Sequence, residues 1–359
     1  MKFKVDLPLW TIIVPVFAML ALMGVLFGLS GYYMLVVAAA LIGGVLAGVH
    51  HAEVVAHRVG EPFGTLVLAL AITVIEVGLI VSLMLAGGPD TAELARDTVF
   101  AAVMIILNGM IGLCLLVGGL RFKQQRFSLS GVSAGLITLT AICTLTLILP
   151  NHTVSEAGGK YNMSQLIFVA IISLVLYGSF VLVQTVRHRD FFLPPEDEGK
   201  EEHAEPPSKG TTFLSLFLLI LCLTGVVTLA KSLAPTIEDG VAAIGAPESL
   251  VGVIIAGVVL LPEGLAAFRA TRANRLQTSL NLSLGSALAS IGLTIPAVAI
   301  VSLATGIELT LGIDMKSTVL LILSLFTVML ALANGRTNIL PGIVLLVIFA
   351  VYLFTTIVP

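Results

Sequence analysis

Pro194-Pro195-Glu196-Asp197-Glu198 and Glu201-Glu202-His203-Ala204-Glu205-Pro206-Pro207 form the middle of the one long polar insert in the chain, Arg187 to Gly210. Prolines and clustered acids disfavour packing, so a solvated, disordered tether is expected here. On both sides of it run apolar stretches near twenty residues, long enough to cross about 30 Å of hydrocarbon as helix. They are continuous and do not alternate with polar residues, which argues for helices and against barrel strands. Eleven spans are predicted, at 9–29, 32–50, 62–87, 98–119, 128–149, 165–186, 213–232, 248–268, 277–304, 317–333 and 339–357. The insert divides them into one leading helix followed by two sets of five. Five is an odd number, so the second set must lie upside down relative to the first. Such inverted repeats are a common plan of secondary transporters. The expected organisation is therefore an extra helix at 1–31, a first repeat at 32–186, an acidic cytoplasmic linker at 187–212 and a second repeat at 213–359.

Composition agrees. Of 359 residues, 58% are hydrophobic and 11% charged, with a mean hydropathy of +1.10, whereas a soluble domain is about half apolar and about a quarter charged. Lys2 and Lys4 precede a long apolar run that lacks a small-x-small cleavage pattern, so it reads as a first membrane helix and not a leader. Cys114, Cys143 and Cys222 all fall in apolar runs and imply no disulfide framework.

Charge fixes the expected orientation. With eleven crossings, one side receives Lys2, Lys4, Arg58, Arg121, Lys123, Arg126, Arg187, Arg189, Lys200, Lys209, Arg269, Arg272, Arg275 and Arg336. The other receives only Arg96, Lys160, Lys231 and Lys316. Basic loops stay inside. That places the N-terminus in the cytoplasm and the C-terminus on the opposite side of the membrane.

The acids sharpen the reading. Every Asp is expected in a loop or terminus, and so is every Glu except two, with Glu248 taken as a helix start. The exceptions are Glu76 in Thr73-Val74-Ile75-Glu76-Val77-Gly78 and Glu263 in Leu260-Leu261-Pro262-Glu263-Gly264-Leu265. Each lies in the second helix of its set, so the inferred inversion relates them. An ionised carboxylate at the bilayer centre costs about 2.5–3.5 kcal/mol on the lenient scale. No Lys or Arg is placed mid-span to offset it, so each must be protonated or bound to a cation. Carboxylate oxygens suit hard cations such as Ca²⁺. Supporting polar groups are Thr73, one helical turn before Glu76, with Asn108, Asn281, Ser286 and Ser290. Pro262 should interrupt the backbone ladder beside Glu263. The group His50, His51, Glu53, His57, Arg58 and Glu61 reads as ordinary surface pairing on a continued helix.

Other classes fit less well. A membrane aspartyl protease needs a mid-span Asp, a Ser–His hydrolase needs a mid-span His, and a retinal-type receptor needs a mid-span Lys; none is expected. No enzyme activity, cofactor or nucleic-acid partner is implied. A channel shares buried carboxylates but passes ions without proton coupling. An oligomer is compatible with the chain.

The stretch His51-Ala-Glu-Val-Val-Ala-His-Arg-Val-Gly-Glu-Pro-Phe-Gly64, running into Glu76, resembles the first repeat of bacterial ChaA-type antiporters of the calcium/cation antiporter superfamily. So do Pro262-Glu263-Gly264, Gly285-Ser286-Ala-Leu-Ala-Ser290, Thr294-Ile-Pro296 and Gly335-Arg-Thr-Asn338. The resemblance implies two inverted five-helix repeats plus an extra helix, with cation sites at paired glutamates that Glu76 and Glu263 match. It implies export of Ca²⁺ in exchange for H⁺ by alternating access, or exchange of Na⁺ or K⁺ for H⁺ on the same fold. Family members often place Asn or Gln after the Gly-Ser of each repeat. Here Ser290 is the polar residue after Gly285-Ser286, and the first repeat offers Asn108-Gly109 instead.

Overall fold

The computed structural model describes residues 7–60, 63–193 and 206–358. In chain order the helices are α1 (Leu9–Leu26), α2 (Tyr33–Val59), α3 (Phe63–Gly87), α4 (Leu94–Met104), α5 (Ile111–Phe122), α6 (Leu129–Cys143), α7 (Met163–Leu182), α8 (Lys209–Ala243), α9 (Ser249–Val259), α10 (Leu261–Arg272), α11 (Leu276–Thr305), α12 (Met315–Leu332) and α13 (Ile339–Ile357). A π-helical turn over Ile105–Met110 joins α4 to α5 as one span. Among the described residues ten helices are long and apolar enough to cross a membrane. The pair α9 and α10, bent by 53° at its break, makes eleven if it counts as one span. The protein is an all-α polytopic membrane protein, as the hydropathy pattern predicts. Most of the predicted linker, residues 194–205, falls outside the described residues, as do Lys2, Lys4 and Glu61.

Two compact units emerge, and they cut across the two five-helix sets. One holds α1, α2, α3 and α8. Lipid tails are as apolar as leucine, so helices here associate through close packing at small residues and not through water exclusion. Gly44 and Gly48 of α2 accordingly meet Val226 and Cys222 of α8, and Gly78 of α3 meets Val227. The other unit holds α4–α7 and α9–α13, with α11 at its centre, packed by α4, α5, α6, α7 and α10. Its closest crossing is α5 on α13. A Cβ on Gly342 would lie 2.4 Å from the Leu116 nitrogen, and one on Gly119 would lie 2.6 Å from the Ile339 nitrogen.

Loops in this second unit are tied down. Gln125 and Arg126 pair antiparallel with Thr337 and Arg336. At the opposite end, Leu311 and Gly312 both donate to the Gly159 carbonyl, and Asn151 Nδ2 donates to the Ile313 carbonyl. Lys160 bonds Glu308, and that ammonium holds the exposed Glu308 carboxyl below its ordinary range. The pairing is therefore present at neutral pH and is lost only as pH falls through the lowered value.

Several boundaries correct the sequence reading. Helix α2 runs to Val59, so the histidine group is helical. Helix α8 spans 35 residues and continues through Lys231, Glu238 and Asp239, which hydropathy assigns to a loop and which lie exposed on the helix. Asp97, also expected in a loop, sits in the first turn of α4 with its carboxylate on Arg96 Nε at 2.8 Å. Polar residues end a hydropathy window well before they end a helix whose last turns reach past the hydrocarbon. His51 is fully buried, and its Nε2 lies 2.8 Å from the Thr11 carbonyl. It fastens α1 to α2 and so departs from the surface pairing expected of it.

The glycine crossing gives a stability test. Gly342→Val should overpack α5 against α13 and cost about 1–3 kcal/mol, lowering the thermal midpoint in detergent followed with a thiol-reactive dye, for which the three buried cysteines are reporters. Gly178→Ala, with open space around its Cβ position, should leave that midpoint unchanged or slightly raised.

Candidate functional site

Both glutamates singled out by the sequence are buried in apolar spans. Glu76 is the central residue of the membrane-length stretch Val67–Leu85 of α3 and is 4% exposed. Thr73, one turn earlier, is also buried, and its hydroxyl donates to the Ala69 carbonyl at 2.9 Å. That bond uses the proton and leaves the oxygen lone pairs on the face shared with Glu76.

Glu263 reaches the same state by a different local route. Pro262 lacks an N–H and tolerates only the first turn of a helix. The chain accordingly breaks at Leu260 and restarts as α10, with Pro262 and Glu263 in its opening turn. The 53° bend is the interruption that the proline predicts. Glu263 is 3% exposed. Its carboxylate sits at the positive end of the α10 dipole, which favours an anion there. Ser286 of α11 donates its hydroxyl to Glu263 Oε1 at 3.4 Å, a long hydrogen bond. Ser290, one turn on, is buried.

Asn108 lies in the π-helical turn between α4 and α5, fully buried. Its Nδ2 donates to Ser324 Oγ of α12 at 2.8 Å, while its Oδ1 has no hydrogen-bond partner among the described residues. Turns of this kind widen the backbone ring by one residue and recur at functional positions. A buried amide oxygen left open in one is a usable cation ligand. Asn281 is placed otherwise. Its Nδ2 donates to the Phe192 carbonyl at 2.6 Å, and its Oδ1 accepts from Gln277 Nε2 at 2.8 Å. Both ends of that amide are spent holding the end of α11, so the structure brings Ser286 to Glu263 but uses Asn281 as a strut. Ser324, the partner of Asn108, escapes a reading of the sequence; a lone serine in an apolar run carries no signal of its own.

A family model described as sodium/calcium exchanger protein matches residues 29–186 and 214–358, two stretches that flank the acidic insert. The chain belongs to that family. Over 360 residues it is 47% identical to the putative ionic transporter y4hA of Sinorhizobium fredii, covering 98% of this chain and 97% of that one. It is 34% identical over 354 residues to the sodium-potassium/proton antiporter ChaA of Escherichia coli, covering 96% and 95%. The exchanger-family chain is thus a ChaA-type member of the calcium/cation antiporter superfamily. Among solved structures, native YfkE superposes with a TM-score of 0.76 at 18% identity, covering 98% of this chain and 100% of that one. The H⁺/Ca²⁺ exchanger CAX gives 0.73 at 14% identity over 96% and 87%. These likenesses establish the shared fold. Within this exchanger fold each matched stretch carries one buried glutamate, in its second span.

The polar contacts sort by what they hold. Asn281→Ala should remove two hydrogen bonds and lower the thermal midpoint by the equivalent of about 1–3 kcal/mol. Ser286→Ala, which gives up one long bond, should cost less than about 1 kcal/mol. Equal losses in thermal melts of the two purified variants would show that Ser286 is the strut instead.

Proposed function

We propose that the chain is a secondary cation/proton antiporter in which Glu76 and Glu263 carry the exchanged charge. The observation that supports this is their burial: among the described residues they are the two carboxylates buried within the spans, at 4% and 3% exposure. An empty, ionised carboxylate in hydrocarbon is costly, whereas a protonated or cation-bound one is not. Two such carboxylates cost about 5–7 kcal/mol on the lenient scale. Even about 5 kcal/mol suppresses the crossing of the empty form by more than a thousandfold. Exchange then follows from charge balance: the protein crosses with protons or with cation, and seldom with neither.

One Ca²⁺ neutralises two glutamates, and so do two protons, which supports Ca²⁺ export against H⁺. CAX, a protein of this fold, is named as an H⁺/Ca²⁺ exchanger. A second reading is exchange of Na⁺ or K⁺ for H⁺, with one glutamate retaining its proton. The observation favouring it is that the relative named for sodium, potassium and proton antiport matches at 34% identity over 96% of this chain. The Ca²⁺/H⁺ antiporter ChaA of Bacillus subtilis matches at 24% over 67%. The supporting residues of either exchange are Thr73, one turn from Glu76, Ser286, which bonds Glu263, Ser290, one turn beyond it, and Asn108, whose buried amide oxygen is open among the described residues. We infer from the distribution of Lys and Arg that the N-terminus is cytoplasmic and the C-terminus periplasmic.

The test is proton movement in everted membrane vesicles, followed with a pH-gradient dye as Ca²⁺, Na⁺ or K⁺ is added separately. Glu76→Gln and Glu263→Gln should each abolish the cation-dependent signal while their thermal midpoints stay at or above that of the parent protein. Unimpaired exchange in either variant would defeat the assignment.

A further inference from the structure

A second polar feature lies wholly within the larger compact unit and leads away from Glu263. Three helices meet there: α5, α10 and α11. On α10, Glu263, Ala267 and Thr271 recur at intervals of four, so they share one face, and all three are buried. On α11, Ser279 and Ser283 do the same and are fully buried. Facing them from the α5 side are Met110, Cys114 and Gly118, again at intervals of four. The Cys114 thiol lies alongside the hydroxyls of Ser279 and Thr271. Next to Gly118, the Gln125 amide oxygen occupies the space a Cβ would need, 1.8 Å from that position, and Thr271 Cγ2 is 3.1 Å from it. Together these groups make a seam of small polar side chains. It runs from the end of α10, where Arg269 and Arg272 lie, toward Glu263.

The seam has an unusual hydrogen-bond balance. Thr271 Oγ1, Ser279 Oγ and Gln125 Oε1 are all buried with no hydrogen-bond partner among the described residues. Their residues are 0%, 0% and 3% exposed. Buried polar atoms are nearly always satisfied, by protein or by ordered water. One thiol, a weak acceptor for two hydroxyls and a weak donor, does not satisfy these groups and an amide oxygen as well. The missing partner must both donate and accept, which water does. The seam ends at Met110. Ser283 donates to Met110 Sδ at 3.2 Å, and the Met110 methyl lies 3.6 Å from the Cβ position of Gly264, the neighbour of Glu263. Methionine turns about three side-chain bonds and fills or vacates space at low cost.

We propose that this seam is a water-occupied proton route, gated by Met110, that connects Glu263 to the arginine-rich end of α10 and takes no metal cation. The inference rests on the reading of Glu263 as an exchanged carboxylate. The proton leaves a Glu263 carboxyl oxygen for a water admitted when Met110 swings aside. That water passes one of its own protons onward past Ser283 to the waters held by Ser279, Thr271 and Gln125, and the carboxylate remains charged for the cation. Metal cations are excluded because hard cations need six or more oxygens to replace their hydration shell. The seam instead offers a thioether, a thiol, an alanine, scattered hydroxyls and a single amide oxygen, too few oxygens for that shell.

The experiment compares two exchange modes in proteoliposomes of the full chain. Proton-coupled exchange is read with a pH dye. Self-exchange of labelled Ca²⁺ or Na⁺ for the same ion needs no net proton movement. Thr271→Val and Ser279→Ala should each slow proton-coupled exchange roughly tenfold, the equivalent of one lost hydrogen bond of the relay, with self-exchange hardly changed. Thr271→Ser, which keeps the hydroxyl, should retain the parent rate, and Met110→Ala should raise proton leak in the absence of cation. Preserved self-exchange shows that a variant folds, and if one variant loses it the other decides. Parallel loss of both modes in both variants, no loss in either mode, or a Thr271→Ser protein as slow as Thr271→Val would each overturn the route. A parent protein that self-exchanges cations but moves no protons would remove the antiport reading and the route with it. That outcome is distinct because it appears before any substitution is made.

Discussion

Charge in a low dielectric is the constraint on which everything else rests. A carboxylate surrounded by hydrocarbon cannot remain bare, and a chain that keeps one there must supply a proton, a cation or strong dipoles. Glu76 and Glu263 meet this condition in different local settings. Glu76 sits in the middle of a long helix, where the backbone N–H groups are committed to the helical ladder. Glu263 sits in the first turn of a helix that restarts at Pro262, where the helix dipole favours the anion.

The fold is legible in the sequence because hydrocarbon thickness is a simple ruler. Eleven apolar runs, one proline-rich acidic insert and a lopsided basic count are enough to set span number and fold class. Glu76 and Glu263 stand out for the same reason, as the two acids inside runs that otherwise tolerate none. Helix ends are less legible. Nothing in hydropathy marks the continuation of α8 past Lys231, because exposed charged residues form helix as readily as they form loop once beyond the lipid. His51 and Asn281 take roles that their sequence neighbourhoods do not reveal, because their partners, the Thr11 and Phe192 carbonyls, are backbone atoms distant in sequence. No spacing rule reaches those.

Polar groups inside the larger unit divide into satisfied and unsatisfied sets. Asn281, Gln277 and Ser324 complete their bonding with protein atoms and stiffen the bundle. Asn108 Oδ1, Thr271 Oγ1 and Ser279 Oγ do not. A helical membrane protein that only needed to stand still would gain stability from replacing the second set with alanine or valine.

Helix α8 carries a mechanical consequence. Thirty-five residues at 1.5 Å each make a rod of about 52 Å, well beyond the roughly 30 Å of oil it must cross. Such a rod lies aslant or projects from the bilayer. Its length gives it leverage: a swing of about ten degrees about its midpoint would carry each tip some 4–5 Å. Displacements of that size, obtained without unfolding a single turn, are comparable to the width of a dehydrated ion's passage.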